Sequence, residues 1–497
     1  MSTGSPRSAR LSWVARGMAR DLGRRRVPAR RLLLPAIAVG LLATLVRLHY
    51  VGDEAATLYT PEQPGVRMAA RYTAAASAIL KGDGILYPQV WPDPSDTSLL
   101  SRPPGYPVFV AAVHRTLGSH YASVLAVQVV LTAILAPVML FLVTRVAGIR
   151  AGIVAGVLAA LSPPLAYHAA LVTPDALAAL VAVVVVSLVW WAREAKPRAR
   201  AFWLVLAGVV GGAGTWLRPN FLPLAPVLAV AIPLVFGRRT KTVAGPLAMA
   251  LAALAVVAPI TIRNVRIYRE FVPVSINGGI VLWEGIADAG GRGFGARGRD
   301  LEVAAEEAVR FGDPRYAKWW ASPDGIRRDR DRVRRSLEVI RAHPGWYLAA
   351  VVRRAREVLF SGAQASLVRP SASPPAEDSP VAGHAVVRAD AAVSAVRPAL
   401  RALQRVAVWP AAVLTALGLW VLAALSPRRA LLLALVPAYV LLVQSPVHFE
   451  PRFALPKDAF TPALQATGLV VLLGAAIRLV RRRSRPARQG RQRPLKR

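Results

Sequence analysis

The chain has 497 residues, 55% of them hydrophobic and only 18% charged, with a mean hydropathy of +0.41, which excludes an ordinary soluble enzyme and points to a polytopic membrane protein. Lys and Arg number 63 against 27 Asp and Glu, a formal net charge of +36, but the arginines flank apolar runs rather than sit in a binding motif, so they read as topology determinants and no nucleic-acid partner is expected. The absence of cysteine excludes disulfides, thiol nucleophiles and zinc–thiolate sites.

In chain order, Met1 to Arg31 is a basic tail followed by an apolar run without a small-residue cleavage site, which predicts an uncleaved first helix. A helix crosses the hydrocarbon core in about 20 residues. Ten runs meet or approach that length, at 32–50, 121–144, 149–167, 173–192, 201–217, 220–237, 243–261, 404–425, 429–446 and 459–479. With the N-terminus inside, every short cytoplasmic connection is basic: Arg145 and Arg150; Arg193, Lys196, Arg198 and Arg200; Arg238, Arg239 and Lys241; Arg428 and Arg429; and finally Arg478 to Arg497. The expected architecture is an all-α transmembrane bundle of about ten spans with both termini cytoplasmic. It divides into a basic tail (1–31), a transmembrane core (32–261) with a first outer loop (51–120), an extracytoplasmic region (262–403), C-terminal spans (404–479) and a second basic tail (480–497).

The first outer loop predicts a short amphipathic helix over 66–81 and an apolar helix too short to span over 108–117. The second large loop predicts helices at 298–311 and 324–360, then an Ala/Ser/Pro-rich mobile connection over 361–398. No repeat of fixed period is visible.

Six polar features lie where these spans meet the outer side. Asp53 and Glu54 follow the first span, as a solvated interfacial pair or as a general base. In Ser101-Arg102-Pro103-Pro104-Gly105-Tyr106-Pro107, prolines fix an extended entry that would hold Arg102 among phosphates or merely anchor the interface. Thr173-Pro174-Asp175 opens the fourth span, where capping alone would explain it. Arg218 in Leu217-Arg218-Pro219-Asn220 needs a partner or an anionic ligand at its depth. Arg263 and Asn264 leave the seventh span ahead of Phe271-Val272-Pro273-Val274-Ser275-Ile276-Asn277-Gly278-Gly279, whose turn could bring backbone amides to a ligand. His448, Glu450 and Arg452 share the last outer loop and could form only a polar turn. Gly293-Phe294-Gly295-Ala296-Arg297-Gly298 matches the dinucleotide pattern but follows no strand. His114, His120, His168 and His343 have no ligand spacing, so neither a metal nor a cofactor is expected.

The order of these motifs resembles that of bacterial membrane glycosyltransferases of the C-type fold, a glycosyltransferase family 39-like pattern. It is nearest to the protein O-mannosyltransferases and the lipid A aminoarabinose transferases. The resemblance runs from about residue 35 to 460 and is most specific at Arg102–Pro107 and at Arg263-Asn264 with Asn277-Gly278-Gly279. It implies a polyprenyl-phosphate-linked sugar donor and a site at the outer membrane interface of a bacterial inner membrane. The acceptor would be an envelope lipid, glycan or protein. The resemblance further implies that Asp53, with Glu54 beside it, activates the acceptor hydroxyl and that Arg102 contacts the donor phosphate. It places Asp175 near the site and makes Arg263 and Arg452 later basic positions. Tyr106, Arg218, Asn264 and Glu450 complete the expected substrate-binding set.

The chain departs from the pattern in two places. Tyr72 lies well beyond Asp53, with Thr57–Val66 as an apparent insertion, and Arg452-Phe453 stands where relatives carry Arg-Tyr. Inverting transfer fits the charge that develops, because a carboxylate can take the acceptor proton while arginines stabilise the departing phosphate. The competing class is a transporter or lipid-linked-sugar flippase, in which broken helices and midplane polar sites are usual.

Overall fold

Inside a bilayer an apolar segment can satisfy its own backbone only as a helix or in a closed barrel, and every long apolar run of this chain is helical. The computed structural model describes residues 28, 30–58, 64–84, 98–237, 243–317, 324–364 and 397–483, and no strand occurs among them. The helices are α1 (Arg30–Leu58), α2 (Pro64–Lys81), α3 (Gly105–Leu117), α4 (Tyr121–Ala133), α5 (Leu135–Ala147), α6 (Ile149–Ala160), α7 (Pro163–Ala169), α8 (Asp175–Glu194), α9 (Pro197–Leu217) and α10 (Leu224–Phe236). They continue as α11 (Ala244–Tyr268), α12 (Gly278–Asp288), α13 (Asp300–Phe311), α14 (Gly325–Ala342), α15 (Pro344–Gln364), α16 (Arg397–Leu425), α17 (Pro427–Gln444), α18 (Leu455–Asp458) and α19 (Thr461–Arg483).

Eight stretches of the described residues are long and apolar enough to span: α1, α4 with α5, α8, α9, α10 with its preceding turn, α11, α17 and α19. The expected span at 149–167 is α6 and α7, bent by 47° where Ser162 meets Pro163 and Pro164. The one expected at 404–425 lies in α16, whose apolar part, Trp409–Leu425, is shorter than the others. The chain is thus an all-α, multi-pass membrane protein. Close helix approach rests on small residues. A Cβ on Gly208 would lie 2.1 Å from the Met249 carbonyl oxygen on α11, and one on Gly468 would lie 2.3 Å from that of Leu414 on α16. At one face, arginines close helix ends: Arg429 donates to the Val146 carbonyl at 2.8 Å, and Arg193 to that of Val235 at 3.2 Å. The expected basic connection at Arg238, Arg239 and Lys241 lies outside the described residues.

At the opposite face α12 to α15 form a helical cap. The helix expected over 324–360 divides into α14 and α15 at Pro344, which cannot donate to the preceding turn and holds His343 out of helical geometry. Most of the 361–398 connection lies outside the described residues. The cap has a charged core: Glu307 of α13 accepts from Arg332 at 2.5 and 2.6 Å and from Arg328 at 3.1 Å, all three fully buried on packing α13 against α14. Arg354 of α15 ties the cap to the bundle, donating to the carbonyls of Gly285 at 2.7 Å, Ser445 at 3.1 Å and Val447 at 2.7 Å. Tyr347 adds a bond to the Pro446 carbonyl at 2.7 Å.

Candidate active site at one membrane face

Span alternation brings the end of α9, the start of α8, the ends of α7 and α11, and the loop between α17 and α18 to the capped face. Asp175 is the first residue of α8, only 2% exposed, and forms a salt bridge with Arg218, which follows α9 and precedes Pro219. Pro219 cannot donate a hydrogen bond, so the chain turns sharply there and leaves the guanidinium at the helix junction. Arg218 also lies within electrostatic reach of the Tyr72 hydroxyl and the Glu450 carboxylate. Phe453 lies between two cations: Arg218 is 5.1 Å and Arg452 5.2 Å from its ring centroid. Arg452 is also held by Glu450, at 2.8 Å between Nη2 and Oε1.

The proline-rich stretch approaches the same junction. Gly105 opens α3 against the end of α9, where a Cβ would lie 2.5 Å from the Trp216 carbonyl oxygen. Arg102 donates to the Tyr72 hydroxyl at 3.1 Å and lies 5.2 Å from its ring centroid. Tyr72 meets Tyr106 edge-to-face at 4.8 Å. Tyr106, fully buried, donates to Gln128 Oε1 at 2.7 Å, and the Gln128 amide donates to the carbonyls of Ala169 at 2.9 Å and Leu171 at 2.6 Å. Arg102, Tyr106, Asp175, Arg218, Glu450 and Arg452 therefore belong to one network, joined through Tyr72 and Phe453.

Arg263 and Asn264 stand apart from it. Arg263 donates to Asn264 Oδ1 at 2.9 Å, while the Asn264 amide donates to the carbonyls of Val272 at 2.9 Å and Val274 at 3.3 Å. Asn264 thus holds the segment leaving α11, and Arg263 braces the Asn264 side chain. That segment in turn holds the proline-rich stretch: Asn277 donates to the Ser101 carbonyl at 2.6 Å and Ile276 N–H to that of Leu100 at 3.0 Å. In the Asn277-Gly278-Gly279 turn, which could bring backbone amides to a ligand, the Gly279 amide donates to Asp329 Oδ1 at 2.8 Å. Asp53 and Glu54 fall in the final turns of α1, and their side chains lie outside the described residues.

Three members of the network were not singled out from sequence as site residues. Tyr72 lies on the buried face of α2. Gln128 is a lone amide in an apolar run, which is itself a signal. His168, buried at the end of α7, has Asp175, Arg452 and Arg218 as its neighbouring charges. At the rim, His448 bonds Asp288 of α12, and that bond raises its pKa above the ordinary histidine value. Among the described residues no cluster of metal-ligating side chains forms.

A fold of apolar spans with a charged junction at one face is that of a multi-pass membrane protein. The family model for dolichyl-phosphate-mannose-protein mannosyltransferase matches residues 101–262, about a third of the chain, which include Arg102, Tyr106, Asp175 and Arg218. The chain thus resembles the C-type membrane glycosyltransferases, as its motif order implies. Among solved structures it is similar to the oligosaccharyltransferase AglB of Archaeoglobus fulgidus in complex with an inhibitory peptide and a dolichol-phosphate. That likeness has 13% identity and a TM-score of 0.48, and covers 91% of this chain and 52% of that one. It is also similar to ArnT of Cupriavidus metallidurans bound to undecaprenyl phosphate, with 15% identity and a TM-score of 0.37, covering 90% of this chain and 78% of that one. The chain spans about half the length of the archaeal enzyme. No curated protein matches it in sequence.

Proposed function

We propose that the chain is a membrane glycosyltransferase that moves a hexosyl or pentosyl group from a polyprenyl-phosphate donor to an envelope lipid, glycan or protein acceptor. The reaction takes place at the extracytoplasmic face of the bacterial inner membrane. The observation that carries the reading is the joining of Arg102, Arg218, Arg452 and Asp175 at one membrane face, three of the four within the segment matched by the mannosyltransferase family model. The basic connections at the opposite ends of the spans support a cytoplasmic position for both termini.

In this reading the acceptor oxygen attacks the anomeric carbon as its bond to phosphate breaks, with inversion. The acceptor proton passes to the carboxylate of Asp53 or Glu54, and the polyprenyl phosphate leaves as an anion. Guanidinium groups stabilise the charge that builds on its oxygens. Arg102 and Arg452 meet the donor phosphate, while Asp175 orients Arg218 beside them. Arg263 and Asn264 position the loop that holds the Arg102 stretch.

The test supplies purified protein with a labelled polyprenyl-phosphate sugar and membrane extract. Transfer of label to an envelope acceptor, lost in Asp53→Asn, is the expected result. Retention of transfer in that variant removes Asp53 as the base. Movement of labelled lipid across vesicles with no new glycosidic bond overturns the transferase reading in favour of a flippase.

A further inference from the structure

The cap carries a concave basic surface that the transfer reaction does not use. A cleft of about 640 Å³ opens between α13 and α14, lined by Arg310, Phe311, Arg327, Arg330, Asp331 and Arg334. Residues 327, 330 and 334 recur at helical spacing on α14, so their guanidinium groups share one exposed face while Arg328 and Arg332 turn inward to Glu307. Four cations thus face one cleft carboxylate. Arg310 and Arg334 share Asp331, Arg330 reaches out to Glu270 at 2.8 Å, Arg334 also pairs with Glu338 at 2.8 Å, and Arg327 lies 5.1 Å from the Phe311 ring centroid. Such exposed pairs contribute little and exchange readily for a better acceptor. A phosphate diester is one, since its oxygens match the guanidinium fork.

The position of the cleft indicates where that phosphate comes from. Ile326, at the start of α14, packs with Leu100, Val272, Ile276 and Tyr268, and Tyr268 is the last residue of the α11 span. Glu270, the partner of Arg330, lies two residues beyond that span. Beside these charges two large apolar side chains are bare: Phe271 is 70% exposed and Val309, next to Arg310, is 85% exposed. Exposed apolar groups beside arginines, with Phe271 just beyond the end of a span, are the composition of a surface in contact with headgroups. We propose that this cleft binds the phosphate-bearing headgroup of an anionic phospholipid of the surrounding bilayer.

The experiment titrates purified full-length protein in detergent micelles with fluorescent short-chain phosphatidylglycerol, reading energy transfer from tryptophan. Phosphatidylcholine of the same chains is the zwitterionic arm and inorganic phosphate the competitor. The expected result is saturable binding of phosphatidylglycerol over phosphatidylcholine. It weakens by about fivefold for each of R327Q, R330Q and R334Q, and by roughly a hundredfold in the triple variant, as expected for loss of one to three cations near an anionic surface. The three arginine-to-lysine variants, which keep the charge but lose the fork, fall between the unmodified protein and the glutamine variants. All three positions are exposed, and the graded single substitutions keep the test available if the triple variant does not fold. Equal binding of the two lipids, unchanged affinity in the single variants, or displacement by low-millimolar inorganic phosphate each overturns the proposal, the last in favour of a free-anion site. The readout is lipid binding, so its outcome is independent of whether the chain transfers sugar.

Discussion

Asp175 and Arg218, 43 positions apart in sequence, meet as an ion pair at the junction of two spans, with the carboxylate 2% and the guanidinium 17% exposed. A pair this shielded stands on its mutual attraction, and removing one partner strands the other charge in a poorly solvated place. Asp175→Asn and Arg218→Gln are each expected to destabilise the protein by about 3 kcal/mol. The double variant is expected to lose less than the sum, because no charge is left unpaired. Thermal unfolding in detergent across the four proteins reads the coupling directly, and strict additivity would refute it.

Arg102 and Tyr72 give a prediction about the donor rather than stability. Arg102 is held from the ring and hydroxyl of Tyr72. Tyr72→Phe removes the hydroxyl but keeps the ring, and is expected to raise the KM for a polyprenyl-phosphate sugar by about tenfold, the effect of one hydrogen bond to a charged group. Arg102→Ala is expected to abolish detectable donor binding. Labelled-donor binding and initial rates measure both, and a Tyr72→Phe variant with unchanged KM would detach Tyr72 from the site.

Glycine at position 105 is demanded by its neighbour rather than by its own backbone. A methyl group there would lie 2.5 Å from the Trp216 carbonyl oxygen and 2.7 Å from its carbon, main-chain atoms that cannot swing away. Gly105→Ala is expected to cost about 1–3 kcal/mol and to shift the Arg102 stretch away from α9. Gly278→Ala, where no atom stands within 4 Å, serves as the silent control. Equal melting temperatures for the two variants would show that α3 does not press on α9 as described.

Apolar length and flanking arginines locate the spans because a bilayer imposes both. The bend between α6 and α7 was hidden, since Pro163 and Pro164 lie within a run that remains apolar throughout. Arg102, Asp175, Arg218 and Arg452 were legible as polar residues at span ends. Which of them meet was not, because the pairing of Asp175 with Arg218 depends on how α8 packs beside α9. Tyr72 escaped for the same reason: its helix reads as an interfacial one, and only the fold brings Arg102 to it. Arg263 and Asn264 read as ligand groups because they leave a span together; in the fold Arg263 donates to Asn264 Oδ1, and the Asn264 amide donates to the chain just ahead.

Asp329 supplies the pH dependence of the cap. Burial raises its pKa from 3.8 to about 6, against the opposing pull of Arg332 and the amides of Gly279 and Ile280. A group that holds its proton more tightly when folded contributes stability that is complete below its unfolded pKa and is lost as pH rises through the folded value. The cap should therefore lose up to about 3 kcal/mol between pH 4 and 6 from this residue. Asp329→Asn keeps an oxygen to accept from Gly279 and no longer titrates, so its stability should be flat across that window and exceed that of the unmodified protein above pH 6. Hydrogen exchange of α12 and α14 in the full-length protein, measured at several pH values, reads the slope. An unmodified cap that grows more stable from pH 4 to 6, with Asp329→Asn following the same curve, would assign the dependence to other carboxylates such as Asp331, whose pKa is lowered by Arg334 and Arg310.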